Sequence, residues 1–395
     1  MRRAPMDLLL LAPDVTWGGR TGDAVHLREL ARQLARRGHA VRIIARSGPD
    51  GGENPSEDLA VHPVRSSFNL GVAVVRRPLV LGKLIRIVFA RRPDVVYSRS
   101  FGDLAEAIAA SALGVPLVYE VNGDAIAERE AQWGRRMAGP ARAWAIRSAR
   151  IGFGRARAIV AVTETLRRRL TEDFRVAADK IRVVPNAADA ELFAPRPASV
   201  ARRDLGLSAD GPIVGFVGNL APWQGIEYLL RAFSEIVRRH PEARAIIVGD
   251  GQDRQRLEAL AQTLGVRERV RFAGSVYYEE VPLYVAATDI CVAPMTRERL
   301  RSGSSAVKIH EYLACERPVV ASRIPGLEFL ETEDLGRLVP PEDSHALAAA
   351  IEAALSDERW RRAAGARGRA YVVRRAGWPA VAAAVEDVCR MAVAA

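Results

Sequence analysis

Six short runs, DLLLLA, AVRIIA, DVVYS, PLVYEV, AIVAVT and IRVVP, punctuate the first half of the chain, and they are apolar almost without interruption. A strand that is apolar on both faces must be covered on both faces, which points to a parallel sheet with helices on either side. The intervening segments supply those helices. DAVHLRELARQLARRG carries apolar residues at helical spacing and ends at Gly38, a natural helix stop. PNAADAELFAPRPAS, rich in proline and alanine and without periodicity, then reads as a linker. Beyond it the pattern restarts as PIVGFVG, RAIIVG, VRFAG, DICVAP, RPVVAS and GRLVP. The double alternation predicts an α/β chain of two Rossmann-like domains facing a cleft, each with a parallel sheet covered by helices. The expected boundaries are 1–190 for the first domain and 191–376 for the second. A final helix over 377–395 can pack back on the first.

A length of 395 residues agrees with two cores rather than one. Cys291, Cys315 and Cys389 are odd in number and lack metal spacing, so a disulfide framework is not expected and a reducing cytoplasm is. The run LLLLA is too short for a secretory signal and meets Pro13 at once, so residues 6–12 read as a buried first strand. PLVLGKLIRIVFA is broken by Lys83 and Arg86 and cannot span a bilayer.

Charge is distributed unevenly. Only Lys83, Lys180 and Lys308 are lysines, so 55 of the 58 basic residues are arginine, which with the alanine content looks partly like genomic bias. Residues 1–190 hold 31 Lys and Arg against 20 Asp and Glu, whereas residues 191–395 hold 27 of each. The first half therefore expects an anionic partner. Between 131 and 169 there are ten arginines and a single acid, Glu164. Trp133, Met137, Trp144 and Ile151 fall on one helical stripe there, with Arg135, Arg142, Arg147 and Arg150 away from it and Gly139-Pro140 as a kink. Such a stripe suits an anionic membrane surface, and with it a lipid-linked or otherwise membrane-held acceptor and a peripheral place on the inner face of the cell membrane. A core-facing helix with snorkelling arginines is the other reading. Nucleic acid is not expected, because the arginines lie on helices and turns rather than interleaved with aromatics on a sheet face.

Ligands of open parallel sheets bind beyond the carboxyl ends of the strands. The first such loop, PDVTWGGRTGDAVHL, offers Gly18 and Gly19 for close backbone approach, Arg20 as a cation, and Thr21 or Asp23 as a helix cap. Its spacing is not G-x-G-x-x-G, and no acid ends RIIARSG, which argues against a dinucleotide cofactor. A tight turn explains the glycines equally well. VGFVGNLAPWQGIEYLL, residues 214–230, is a strand feeding a helix start without any lysine or arginine. In RSGSSAVKIHEYLACERPVVAS, Ser304, Ser305 and Val307 lead into a helix that places Lys308 and Glu311 on one face. Lys308 suits a phosphate as a point charge, and the Glu311 carboxylate can accept both hydroxyls of a ribose diol. A surface ion pair is the plain alternative. Arg99 closes DVVYSRS and is a candidate phosphate or acceptor contact, or else a surface salt bridge. Glu120, Asn122 and Asp124 follow the strand LVYEV; Glu120 reads as a strand-end residue satisfied by backbone, and Glu120 and Asp124 are fallback acid–base groups. His39 reads as a helix-to-strand turn position, and His26 and His310 read as packing or solvent-facing residues.

Several motifs resemble, in order and spacing, a family-four glycosyltransferase of GT-B fold: WGGRTGDAVHLRELARQLARRGHAV, RVVPNAADAELFAP, VGFVGNLAPWQGIEYLLRAF, VGDGQDRQRLEALAQTLGVRERVRFAG and SSAVKIHEYLACERPVVAS. The resemblance covers nearly the whole chain. It implies sugar transfer from a nucleotide-linked donor to an acceptor, with retention and without a metal; a UDP- or GDP-linked donor and no other cofactor are expected, and the membrane-held acceptor read from the basic first half suggests cell-envelope polysaccharide or glycolipid synthesis. Taken with the loops and helix starts above, the donor is expected on Gly18, Gly19, Asn219, Gln224, Gly225, Gly251, Ser304, Ser305, Val307, Lys308 and Glu311, with Asn122, Lys308 and Glu311 as the expected catalytic set. Glu311 matches the second glutamate of the family's E-x7-E motif, while the first position holds Gly303. Asn219 and Gln224 replace an arginine and a lysine, and Asn122 replaces a histidine. The family mechanism lets the departing phosphate accept the acceptor's proton. A nucleotide-sugar 2-epimerase shares the architecture but needs paired carboxylates and histidines, which Asn122 and Gly303 do not supply.

Overall fold

The structure is a computed structural model that describes residues 4–19, 22–47, 59–64, 72–132, 136–297 and 307–394, with the side chains of 72–77 and 131–132 left aside. The chain divides into two parallel-sheet α/β domains. The first comprises Met1–Asn186 and Trp378–Ala395, and the second comprises Ala187–Arg301 and Ala306–Gly377.

The first domain is built on seven parallel strands: β1 (Asp7–Thr16), β2 (Ala40–Arg46), β3 (Leu59–Val64), β4 (Val95–Ser98), β5 (Leu117–Val121), β6 (Ala158–Ala161) and β7 (Ile181–Val183). Their order is β3-β2-β1-β4-β5-β6-β7. Leu8 to Leu11 pair with Val95 to Ser98 on one side and with Val41 to Ile44 on the other. These four leucines are fully buried, as strands covered on both faces require. One cover consists of α2 (Val72–Ala90), α3 (Leu104–Ala112), α5 (Gly139–Arg155) and α6 (Glu164–Glu172). Leu84, Ala107, Phe153 and Leu166 from these helices share a core with Leu9, Leu11 and Tyr119. α1 (Gly22–Arg36) packs instead on the last helix, Trp378–Ala394, which lies along β4, β5 and β6. Glu386 of that last helix binds Arg37 at 2.6 Å and Arg390 at 2.7 Å. Gly38, at φ +92°, ends α1 in the left-handed conformation that favours glycine.

β3 answers to none of the expected strands. Its sequence LAVHPV is interrupted by Pro63, which an edge strand tolerates and a central one does not. The basic stretch also departs from its single stripe. α4 (Ala125–Gln132) and α5 are separate helices, because Pro140 opens a new one, and Met137 lies outside both. Trp144 is exposed, whereas Met137 packs against the core; Trp133 and Arg135 lie outside the described residues.

The second domain repeats the plan with β8 (Ile213–Val217), β9 (Arg244–Val248), β10 (Val270–Gly274), β11 (Ile290–Ala293), β12 (Val319–Ser322) and β13 (Gly336–Val339), ordered β10-β9-β8-β11-β12-β13. The helix after β8, α7 here (Ile226–Arg239), buries Ile226, Leu229, Leu230, Phe233 and Ile236 against the sheet. A second helix, α8 (Val307–Ala314), is buried through Ile309 to Ala314. The presumed linker is anchored to this domain: Phe193 is fully buried in its core, and its carbonyl accepts from Arg369 at 2.9 Å.

Candidate functional site

In the second domain the residues singled out by sequence gather where β8 and α8 meet. Tyr312 fixes that junction, its hydroxyl accepting from the Val217 amide at 2.7 Å and lying 3.2 Å from the Val217 carbonyl. One turn back on α8, Lys308 Nζ donates to Gln224 Oε1 at 2.9 Å and lies 4.1 Å from the centre of the Phe216 ring. Gly218 follows β8 at φ +147°, and a Cβ there would stand 2.5 Å from Lys308 Nζ, so any side chain would displace the ammonium. Gly225 sits at φ +69°, where a Cβ would come within 1.8 Å of the Pro294 carbonyl. Gly251 is also close-packed, since a Cβ would stand 2.3 Å from Asn219 Oδ1. Gly218, Gln224 and the Phe216 ring thus pack against one ammonium.

Glu311 lies on the same face of α8, and its Oε1 accepts from the Tyr278 hydroxyl at 3.1 Å. Burial pushes its carboxyl up to about 7, with Tyr278 and Lys308 pulling the other way. At neutral pH it stands near half ionisation, ready to be held ionised by a donor of hydrogen bonds. Val307 is half-buried beside it. Tyr278 and Phe216 belong to this site and were not singled out from sequence. Tyr278 lies 33 residues from its partner, and nothing in SVYYEEV marks it. Gly303, Ser304 and Ser305 lie outside the described residues.

In the first domain a buried polar cluster closes the ends of β4 and β5. Glu120 accepts from Tyr97 Oη at 2.7 Å, Arg99 Nε at 3.0 Å and Asn122 Nδ2 at 2.6 Å. His26 Nε2 of α1 stands 3.0 Å from the same carboxylate. Burial works against ionised Glu120, but His26 and Arg99 outweigh it and hold the carboxyl below the usual range. Burial also lowers the His26 imidazole. Since the carboxylate can only accept, Asn122 must present its NH₂ to Glu120. Its Oδ1 is then a buried acceptor with no hydrogen-bond partner among the described residues.

The remaining candidates are otherwise engaged. Arg99 is held by Glu120 and by the Asp23 carbonyl at 2.8 Å, so it is a buried structural cation rather than an open phosphate contact. Asp124 caps α4, accepting from Ile126 and Ala127 amides at 2.9 and 3.0 Å, and pairs with Arg169. Glu120 is satisfied by side chains, not by backbone as expected. Gly18, at φ +77°, and Gly19 turn the chain at the end of β1, with the Gly19 amide bonded to Thr16 O at 3.0 Å. Arg20 and Thr21 lie outside the described residues. His39 is buried, its Nδ1 accepting from the Met6 amide at 3.0 Å. His310 is buried against Phe329 and Tyr371. Among the described residues no three His, Cys, Asp or Glu side chains converge as a metal site, and no helix is long and apolar enough to cross a membrane.

Comparison with known proteins gives this geometry its class. The family model for Glycosyltransferase Family 4 matches residues 21–192, and that for Glycosyl transferases group 1 matches residues 211–357. A D-inositol 3-phosphate glycosyltransferase of Acidothermus cellulolyticus is 31% identical, over 84% of this chain and 78% of that protein. One from Kineococcus radiotolerans is 30% identical over 94% of this chain and 92% of its own. Among solved structures, sucrose-phosphate synthase of Thermosynechococcus elongatus superposes with a TM-score of 0.82 at 22% identity, covering 98% of this chain and 99% of its own. Anabaena HepE in complex with UDP gives 0.78 at 21% identity, over 98% and 100%. The chain belongs to glycosyltransferase family four, and it is a glycosyltransferase of GT-B fold.

Proposed function

We propose that the second domain binds a nucleoside-diphosphate sugar and that the enzyme passes the sugar, with retention and without a metal, to an acceptor held by the first domain. The observation that carries the reading is the placement of Lys308 and Glu311 on one face of α8, three residues apart, with Gly218 and Gln224 packed against the ammonium. Glu311 accepts the two ribose hydroxyls, and Lys308 meets the diphosphate, assisted by Gln224, Asn219 and nearby backbone amides. A helix terminus adds about 0.3–1 kcal/mol when exposed, so several such dipoles around one lysine substitute for a second cation.

The charge that develops on the leaving diphosphate falls to these groups. For retention, the acceptor oxygen bonds to the anomeric carbon on the face from which the phosphate oxygen departs. The acceptor's proton passes to that phosphate oxygen, so no side-chain base is consumed. Asn122 fits such a reaction: its Oδ1 accepts a hydroxyl of sugar or acceptor, while Glu120 fixes the amide. The HepE complexes with UDP, and with UDP and glucose, lend weight to a uridine donor. The acceptor is lipid-linked or membrane-held, in cell-envelope polysaccharide or glycolipid synthesis.

Incubation with UDP- and GDP-sugars tests the reading, by thermal shift and by slow donor hydrolysis. One base should stabilise the protein and be hydrolysed, and Glu311→Ala should abolish both effects. Stabilisation by neither base would overturn the reading.

A further inference from the structure

We propose that the outer helical layer of the first domain, formed by α2, α3 and α5, docks on an anionic lipid bilayer, with α2 as the principal contact. Large apolar side chains stand in solvent on each of these helices: Leu79 (53% exposed), Ile85 (40%) and Phe89 (78%) on α2, Ile108 (49%) on α3, and Trp144 (63%) on α5. The three helices are neighbours, α3 packing on both of the others, and their opposite faces enter one core. On α2, Leu79, Gly82, Ile85 and Phe89 follow one another at helical spacing, so they form a face rather than scattered exceptions. Beside them a recess of about 620 Å³ opens between α2 and β3, lined by Pro63, Val64, Leu79, Lys83 and Ile87.

Charge selects the occupant. Among the described side chains, α2 carries the basic residues Lys83 and Arg86 and no carboxylate; α5 contains four arginines, Arg142, Arg147, Arg150 and Arg155, and again no carboxylate. α3 contributes one glutamate, Glu106, and it is buried. Glu130, before α5, pairs with Arg142. Apolar side chains rimmed by cations, with few acids among the described residues of these helices, complement phosphate headgroups over acyl chains. The site deepens the membrane-held acceptor of the proposed function but does not depend on donor binding. It also moves the contact from the 131–169 stretch to α2.

The test is flotation of the full chain with vesicles of phosphatidylcholine containing about a third phosphatidylglycerol, in about 0.1 M salt, where surface charge is only partly screened. Binding is expected, should fall steeply with added salt, and should vanish on pure phosphatidylcholine. Leu79→Ser with Phe89→Ser should lower partitioning about tenfold or more, as loss of two inserted apolar side chains requires. Arg86→Gln should lower it about fivefold. These side chains are exposed, so melting temperature and nucleotide affinity should not change in the same samples. That separates failure of the surface from failure of the donor site. Absence of binding to anionic vesicles, or equal binding by the serine variant, would overturn the proposal. So would a dimer in solution that Phe89→Ser dissociates, since a second copy would then cover the face.

Discussion

The ammonium of Lys308 donates to the side-chain oxygen of Gln224 across 2.9 Å. Family resemblance expects a lysine where Gln224 stands, so here the cation reaches the same neighbourhood from α8 instead of from the loop after β8. The Gln224 side chain is the hydrogen-bonding seat of that ammonium. Replacing Lys308 with alanine should reduce kcat/KM at least about tenfold, the loss of one charge-assisted hydrogen bond. The double variant Lys308→Ala, Gln224→Lys should recover part of that loss. Steady-state kinetics on both variants checks this; unchanged kinetics in Lys308→Ala removes the residue from the site.

Glu311 predicts a pH dependence with a definite sign. Its carboxyl titrates near 7 in the fold because of burial, against about 4.5 when exposed. The ligand-free protein therefore loses stability through this group as pH rises from about 4.5 to 7, and not above. A ribose diol prefers the ionised form, so nucleotide-sugar affinity should rise over the same window and level off. Binding near pH 6 should be about tenfold weaker than near pH 8, one pKa unit being tenfold. Calorimetry at three pH values checks the slope, and Glu311→Gln should flatten it.

The Glu120 cluster predicts an asymmetry between two small substitutions. Asn122→Asp sets a second carboxylate against the one that now accepts its amide at 2.6 Å. The variant should lose at least about 1.4 kcal/mol at pH 8 and regain most of it near pH 5, where the new acid can protonate. Glu120→Ala strands Arg99, His26 and Tyr97 together and should cost about 3–5 kcal/mol at either pH. Denaturant unfolding at both pH values distinguishes the two.

Gly225 should be intolerant of any side chain for reasons independent of ligand. Its positive φ, and a Cβ that would meet the Pro294 carbonyl at 1.8 Å, predict that Gly225→Ala destabilises by about 1–3 kcal/mol or more. A melting temperature equal to that of the wild type would show that the turn relaxes freely.

Much of this was legible because buried parallel strands write themselves as apolar runs. Every such run noted in both halves became a strand, and Lys308 and Glu311 declared a shared face by spacing alone. What escaped was carried by long-range geometry. β3 is an edge strand with Pro63 and His62, so it has no apolar signature. Tyr278 and Phe216 reach the site from other elements, and His26 joins Glu120 across 94 residues, which no local pattern announces. Arg99 and Asp124 looked like open polar groups at strand ends because sequence cannot show that their partners, Asp23 and Arg169, lie beside them.

The ribose assignment to Glu311 is tested most directly by a double cycle in calorimetry, comparing a nucleotide with its 2′,3′-dideoxy analogue on wild type and on Glu311→Ala. Removal of the diol should weaken binding to the wild type about tenfold or more and leave the alanine variant nearly unaffected, because the lost hydroxyls and the lost carboxylate are one interaction. Equal weakening in both proteins would contradict the assignment and place the ribose elsewhere.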